Sequence, residues 1–143
     1  MPTRNATARW EGGIKGGKGS FTAESGSIGG KYSVGSRFES EKGSNPEELL
    51  AAAHAACYSM ALSVALDKNG TPPAYVETKA ACTVEKAGEG WKISSMKLTT
   101  RAKVPKVSEA DFRKFAEGAK EGCPVSGAFK GNLRIELDAT LEQ

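Results

Sequence analysis

Three cysteines, Cys57, Cys82 and Cys123, hold most of the reactive potential of this sequence. A cysteine acts as nucleophile or metal ligand through its thiolate, so its surroundings decide whether it reacts at all. Cys57 lies within His54-Ala55-Ala56-Cys57-Tyr58-Ser59-Met60. In so apolar a run a cysteine serves as a small core hydrophobe, and burial raises its pKa. To act as a nucleophile it needs a cation that stabilises the thiolate. Cys123 follows Gly122 and precedes Pro124, at the break between one helix and a possible short helical turn. Free backbone N–H groups and the helix dipole favour a thiolate there, although the same cysteine also works as a small cap. Cys82 falls on the apolar face of an alternating segment and reads as core.

Other side chains bear on these thiols. His54 precedes Cys57 by three residues and shares its helix face, so it is either a proton acceptor or imidazolium partner, or a satisfied core histidine. A zinc site of His54, Cys57 and Cys123 would leave an open coordination position, but the spacing does not select it. Glu47 and Glu48 suit a helix start, where acids complement the dipole. Arg37, in Ser36-Arg37-Phe38-Glu39, reads equally well as a solvated strand residue.

The elements that must position these residues are legible in part. Thr7–Trp10, Ser20–Glu24 and Tyr32–Phe38 read as short strands joined by glycine turns. Asn45-Pro46-Glu47-Glu48 starts a helix, with Asn45 as cap, Pro46 at the first position and Glu48 where a capping box wants an acid. The helix runs to about Lys68, roughly 34 Å at 1.5 Å per residue, and stops at Asn69-Gly70. Apolar and small residues lie on nearly every side of it, so it is expected to be buried. A domain of this size has one sheet to cover one side, and a second subunit is expected to cover the other.

Beyond the prolines, Val76, Thr78, Ala80, Cys82 and Val84 alternate with polar neighbours, and Ala87–Gly90 turns the chain into a second strand from Trp91 to Val104. A second helix is expected from Ser108 to Gly122, and a last strand carries Leu133, Ile135, Leu137, Ala139 and Leu141 on one face. The fold class is α+β, one domain over residues 1–143 with antiparallel sheets around a long central buried helix.

The net charge of +3, from 20 basic and 17 acidic residues, is spread along the chain, which gives a nucleic-acid role no support. The first ten residues lack an apolar signal core, and no run of about 18 uninterrupted apolar residues occurs, so a cytoplasmic protein without a membrane partner is expected. An odd number of cysteines there argues against a structural disulfide framework.

Arg37-Phe38-Glu39, then Gly43-Ser44-Asn45-Pro46-Glu47-Glu48-Leu49-Leu50, then Ala52–Leu62 around Cys57 resembles the OsmC/Ohr family of osmotically inducible and organic hydroperoxide resistance proteins. Ala119-Lys120-Glu121-Gly122-Cys123-Pro124-Val125-Ser126 looks like its second signature, and Trp10-Glu11-Gly12 extends the likeness over nearly the whole chain. The resemblance implies an intertwined homodimer with sites at the subunit interface and a cysteine-based peroxidase acting on organic hydroperoxides in oxidative or osmotic stress defence. It matches Cys57 to the peroxidatic cysteine, Cys123 to the resolving one, Arg37 to the thiolate-polarising arginine and Glu47 to the acid that holds it. No cofactor is implied beyond an external dithiol, a thiol or lipoyl-type reductant. Where the Ohr branch places an arginine near the N-terminus, Lys15-Gly16-Gly17-Lys18 offers lysines, which cannot make bidentate guanidinium contacts and so favour the OsmC branch. Glu47 and Cys57 are about 15 Å apart along one helix, so either that helix is broken or Glu47 serves the partner's Cys57. A redox sensor using the same thiols, and a Cys57/His54 thiol hydrolase or acyltransferase, are the alternative readings.

Overall fold

The structure is a computed structural model that describes all residues, Met1–Gln143, and it falls into two compact units, Met1–Leu49 and Leu50–Gln143. The first unit holds an antiparallel meander of β1 (Ala6–Glu11), β2 (Lys18–Ala23) and β3 (Gly29–Tyr32). Gly19 of the middle strand lies opposite both Trp10 and Tyr32. A Cβ there would come within 2.5 Å of the Tyr32 ring, so glycine lets Tyr32 pack at 5.7 Å from Trp10.

The strand expected over Tyr32–Phe38 is not formed: β3 ends at Tyr32, and Val34–Phe38 is a short helix, α1. The cause is local. Ser33 caps the turn, with Ser36 N–H donating to Ser33 Oγ at 3.1 Å and Ser33 N–H donating to Ser36 Oγ at 2.8 Å. Such reciprocal serine bonds compete successfully with strand pairing in so short a segment.

Helix α2 spans Pro46–Lys68. Its start is the expected one, with Glu48 N–H donating to Asn45 Oδ1 at 2.8 Å. Its end is a Schellman turn: Thr71 N–H reaches Leu66 O at 3.0 Å, Gly70 N–H reaches Asp67 O at 2.9 Å, and Gly70 takes φ +80°. His54, Tyr58, Leu62 and Leu66 recur every fourth residue and are all fully buried. That stripe meets Met96 and Leu98 from the sheet and Phe112 and Ala116 from a later helix. Burial of each large side chain contributes about 1.5–3 kcal/mol. A polar rivet accompanies it, from Ser59 Oγ to Thr78 Oγ1 at 2.8 Å and on to Thr100 Oγ1 at 2.8 Å.

The second sheet has the order β4 (Tyr75–Ala87), β5 (Gly90–Lys103), β6 (Arg134–Glu142). β4 and β5 form the expected hairpin. The sheet departs from purely antiparallel pairing at β6, which runs parallel to β5, Met96 facing Ile135 and Leu98 facing Leu137. Parallel return requires a long crossover, here α3 (Glu109–Gly122) and α4 (Pro124–Phe129). That crossover carries Cys123 between its two helices.

Candidate active site

Cys123 closes one helix and opens the next. Its backbone N–H donates to Ala119 O at 3.0 Å, ending α3, while its Sγ accepts from Ser126 N–H at 3.4 Å and Ser126 Oγ–H at 3.5 Å, starting α4. Pro124 suits the first turn because its missing N–H is not needed there. The residue is fully buried. Cys57, half-buried on α2, lies within hydrogen-bonding reach of Cys123 and of the Val125 N–H. The structure therefore brings the two motif cysteines together, while Cys82 packs against the core from β4.

The two sulfurs share their acidity unevenly. Burial pushes the Cys57 thiol up, the Val125 N–H offsets part of this, and the adjacent Cys123 pushes it further up. Burial also opposes a Cys123 thiolate, but the Cys57 thiol, the N–H and hydroxyl of Ser126 and the Val125 N–H outweigh it and hold Cys123 below the ordinary thiol value. The pair is thus skewed, with the Cys57 thiol held above and the Cys123 thiol below the ordinary value.

Cys57 opens onto a groove of about 590 Å³ lined by Met60, Val64, Phe115, Ala119 and Pro124, with Lys114 as its charged residue. The wall is apolar enough to receive an alkyl chain. Of the apolar residues near the two motifs, Phe38, Tyr58, Met60 and Phe129, it is Met60 that lines this groove. Tyr58 is instead buried, its hydroxyl donating to Ala116 O at 3.0 Å. Phe129 packs edge-on against His54 at 5.4 Å, and Phe38 lies under the Arg37 guanidinium at 5.1 Å.

Arg37 and Glu47 form the second pair, within the first unit. Arg37 Nε donates to both Glu47 carboxylate oxygens, at 3.1 and 3.2 Å, and Nη2 donates to Oε1 at 2.8 Å. The loop between them is fastened by Ser36 Oγ donating to Ser44 O at 2.8 Å and Asn45 Nδ2 donating to Ser36 O at 3.0 Å. Glu47 is buried while the arginine is 37% exposed, so the carboxylate fixes a guanidinium that still faces outward. Helix α2 is unbroken between Glu47 and Cys57, which removes one of the two ways of relating them.

His54 is fully buried, its Nε2 lying 2.7 Å from Ser126 Oγ. It turns toward Ser126 rather than serving as a base on Cys57. No group of three His, Cys, Asp or Glu side chains is arranged to hold a metal ion. Ser126 and the Val125 N–H are the site features that sequence reasoning missed. Their signal was present: Cys123 and Ser126 stand at the N-cap and N3 spacing of a capping box.

Residues 39–138 match the family model described as OsmC-like protein, a span that includes Glu47, Cys57 and Cys123. The chain is 41% identical over 134 residues to Peroxiredoxin OsmC of Escherichia coli, covering 93% of this chain and 94% of that one. It is 32% identical over 102 residues to the organic hydroperoxide resistance protein OhrA of Bacillus subtilis, covering 68% of each. Among solved structures, OhrB of Bacillus subtilis superposes with a TM-score of 0.73 at 24% identity, covering 96% of this chain and 97% of that one. An OsmC organic hydroperoxide resistance protein of Legionella pneumophila gives a TM-score of 0.74 at 20% identity, covering 98% and 99%. The fold agrees with both structures, and the sequence match spans both cysteine motifs: the chain belongs to the OsmC family.

Proposed function

We propose that this protein is a cysteine-based peroxidase that reduces organic hydroperoxides to alcohols, with Cys57 as the peroxidatic and Cys123 as the resolving cysteine. The carrying observation is the contact of the two thiols beside backbone N–H donors, with Cys57 at an apolar groove. Names of relatives on both branches, a peroxiredoxin and organic hydroperoxide resistance proteins, support the same activity.

The Cys57 thiolate attacks the terminal oxygen of ROOH, the O–O bond breaks, and the departing alkoxide takes a proton to give ROH. Cys57 is left as a sulfenic acid. The Cys123 thiolate then attacks that sulfur, forming the disulfide while the S–O bond breaks and the hydroxide leaves as water. An external dithiol restores both thiols by exchange. This cycle requires no bound cofactor, and it runs in a reducing compartment, the cytoplasm.

Burial and the neighbouring Cys123 hold the Cys57 thiol up, so the first step needs a cation at Cys57. We assign that role to Arg37 of a second copy, held by its own Glu47, in an intertwined homodimer. A guanidinium beside Cys57 stabilises its thiolate and the charge growing on the departing oxygen. Supporting this, α2 has a mean hydropathy of 1.7 over its most apolar window, of which 22% is buried within the chain. Met60 is 71% and Val64 46% exposed, an apolar face suited to a second copy. All 143 residues are then one functional domain.

The test adds stoichiometric cumene hydroperoxide to the reduced protein and follows intact mass. A loss of about 2 Da in the parent, none in Cys57→Ser, and overoxidised sulfur in Cys123→Ser are expected. Thiols that stay reduced over seconds would refute the assignment.

A further inference from the structure

Resting on that peroxidase reading, we propose that His54 and Ser126 form a buried donor chain, His54 Nε2–H to Ser126 Oγ–H to Cys123 Sγ, that positions Cys123 and keeps its sulfur anionic for attack on oxidised Cys57.

The geometry is continuous and buried. His54 Nε2 lies 2.7 Å from Ser126 Oγ, and Ser126 Oγ lies 3.5 Å from Cys123 Sγ. His54 and Cys123 are fully buried and Ser126 is 2% exposed. The serine gives the same sulfur its backbone N–H at 3.4 Å, so both of its donors converge on one atom. A sulfur that accepts two such bonds is far better matched as a thiolate than as a thiol.

The direction of the chain follows from its far end. His54 Nδ1 is buried without a hydrogen-bond partner. Were the proton on Nδ1, the site would bury an orphaned N–H donor, the rarer of the two kinds of unpaired group. With the proton on Nε2, Nδ1 is an idle acceptor, Nε2–H donates to Ser126 Oγ, and the single hydroxyl hydrogen is directed to sulfur. Burial lowers the basicity of His54 and keeps it neutral, so the chain orients a dipole without adding a cation. Phe129, edge-on to the imidazole at 5.4 Å, and the position of His54 on the buried stripe of α2 hold the ring in place.

Around Cys123 the other titratable groups are Cys57 and Tyr58 of α2, with Glu117 of α3 beyond Tyr58, while Lys120, Glu121 and Lys130 lie about Ser126. The donor chain is the part of this environment that touches the resolving sulfur but not the peroxidatic one. His54 and Ser126 are therefore positioning residues for the second step. In that step Cys123 supplies the electron pair for the S–S bond, the sulfenic sulfur is reduced, and its hydroxyl leaves as water with the proton that Cys123 gave up. The hydroxyl hydrogen of Ser126 stays on its oxygen throughout.

The test is a single-turnover experiment from about pH 5 to 9 on the parent, Ser126→Ala, Ser126→Thr, His54→Leu and His54→Gln, quenched at intervals and read by intact mass. Ser126→Ala and His54→Leu each lose one bond to a charged acceptor or its support. The midpoint of disulfide formation is expected to rise by about one unit, with formation near neutrality about tenfold slower. Excess hydroperoxide then drives more Cys57 to sulfinic acid. Ser126→Thr keeps a hydroxyl and His54→Gln can place an N–H, so both are expected to restore most of the parent's profile. A parent-like midpoint in Ser126→Ala or in His54→Leu overturns the proposal. Should His54→Leu fail to fold, the Ser126→Ala and Ser126→Thr comparison decides alone. A parent that forms no Cys57–Cys123 disulfide refutes the peroxidase reading instead, and the chain is then judged by the pH dependence of Cys123 alkylation in the same variants.

Discussion

Glu47 and Cys57 sit on one unbroken helix, Pro46–Lys68, and the ten residues between them correspond to about 15 Å of rise. A carboxylate so placed cannot touch the Cys57 of its own helix. If each active site joins Cys57 of one copy to the Arg37–Glu47 pair of the other, two inactive variants must complement. In Cys57→Ser the nucleophile is gone. In Glu47→Gln the contacts that fix Arg37 at 2.8, 3.1 and 3.2 Å lose their charge. Weakening these is expected to cost about tenfold to a hundredfold in peroxide reduction. When equal amounts are unfolded together and refolded, about half the dimers are mixed, each with one intact site and one doubly damaged site. The mixture should therefore regain about a quarter of the parent's turnover of cumene hydroperoxide per subunit. A lipoyl-type dithiol assay reads this directly. A mixture that only averages its two components would refute the crossed arrangement, because sites built within one chain cannot be rebuilt by exchange.

Two further outcomes are expected. Val64→Glu puts a carboxylate on the exposed apolar face of α2, and sedimentation at micromolar concentration should show a monomer where the parent is a dimer; burying that unpaired charge would cost several kcal/mol. Burial lowers the pKa of His54 from 6.5, so the folded state disfavours its protonation. The resulting stability is fully present above about pH 6.5 and is lost as pH falls further, toward the lower folded value. Thermal melts should show a drop through this range that is absent in His54→Gln.

Much of the architecture was legible because it follows from periodicity and caps. The start at Asn45-Pro46, the stop at Gly70 and the alternation along β4 and β6 are local signals that the packing reinforces. The helix over Val34–Phe38 was not, because two serines bonding each other outweigh a weak strand pattern in five residues. Nor could patterning reveal that β6 returns parallel to β5, since alternation specifies which face is buried but not the direction of the neighbour. The motif cysteines stood out by setting, yet their contact depends on the crossover through α3 and α4, a tertiary matter. His54 was visible as a histidine near Cys57; that it turns to Ser126 follows from where the α3–α4 junction docks.

The double duty of Cys123 links helix ends to redox potential. Its sulfur is the acceptor that opens α4, and under the proposed cycle the same sulfur is periodically drawn into a disulfide, where it is a poorer acceptor. Cap and bond are thus two arms of one thermodynamic square. Whatever cap energy α4 recovers on reduction must appear as a bias toward the dithiol. A cap worth about 0.5–2 kcal/mol corresponds to roughly 10–40 mV in a two-electron couple. The disulfide is therefore biased toward the dithiol by the helix cap that its formation weakens.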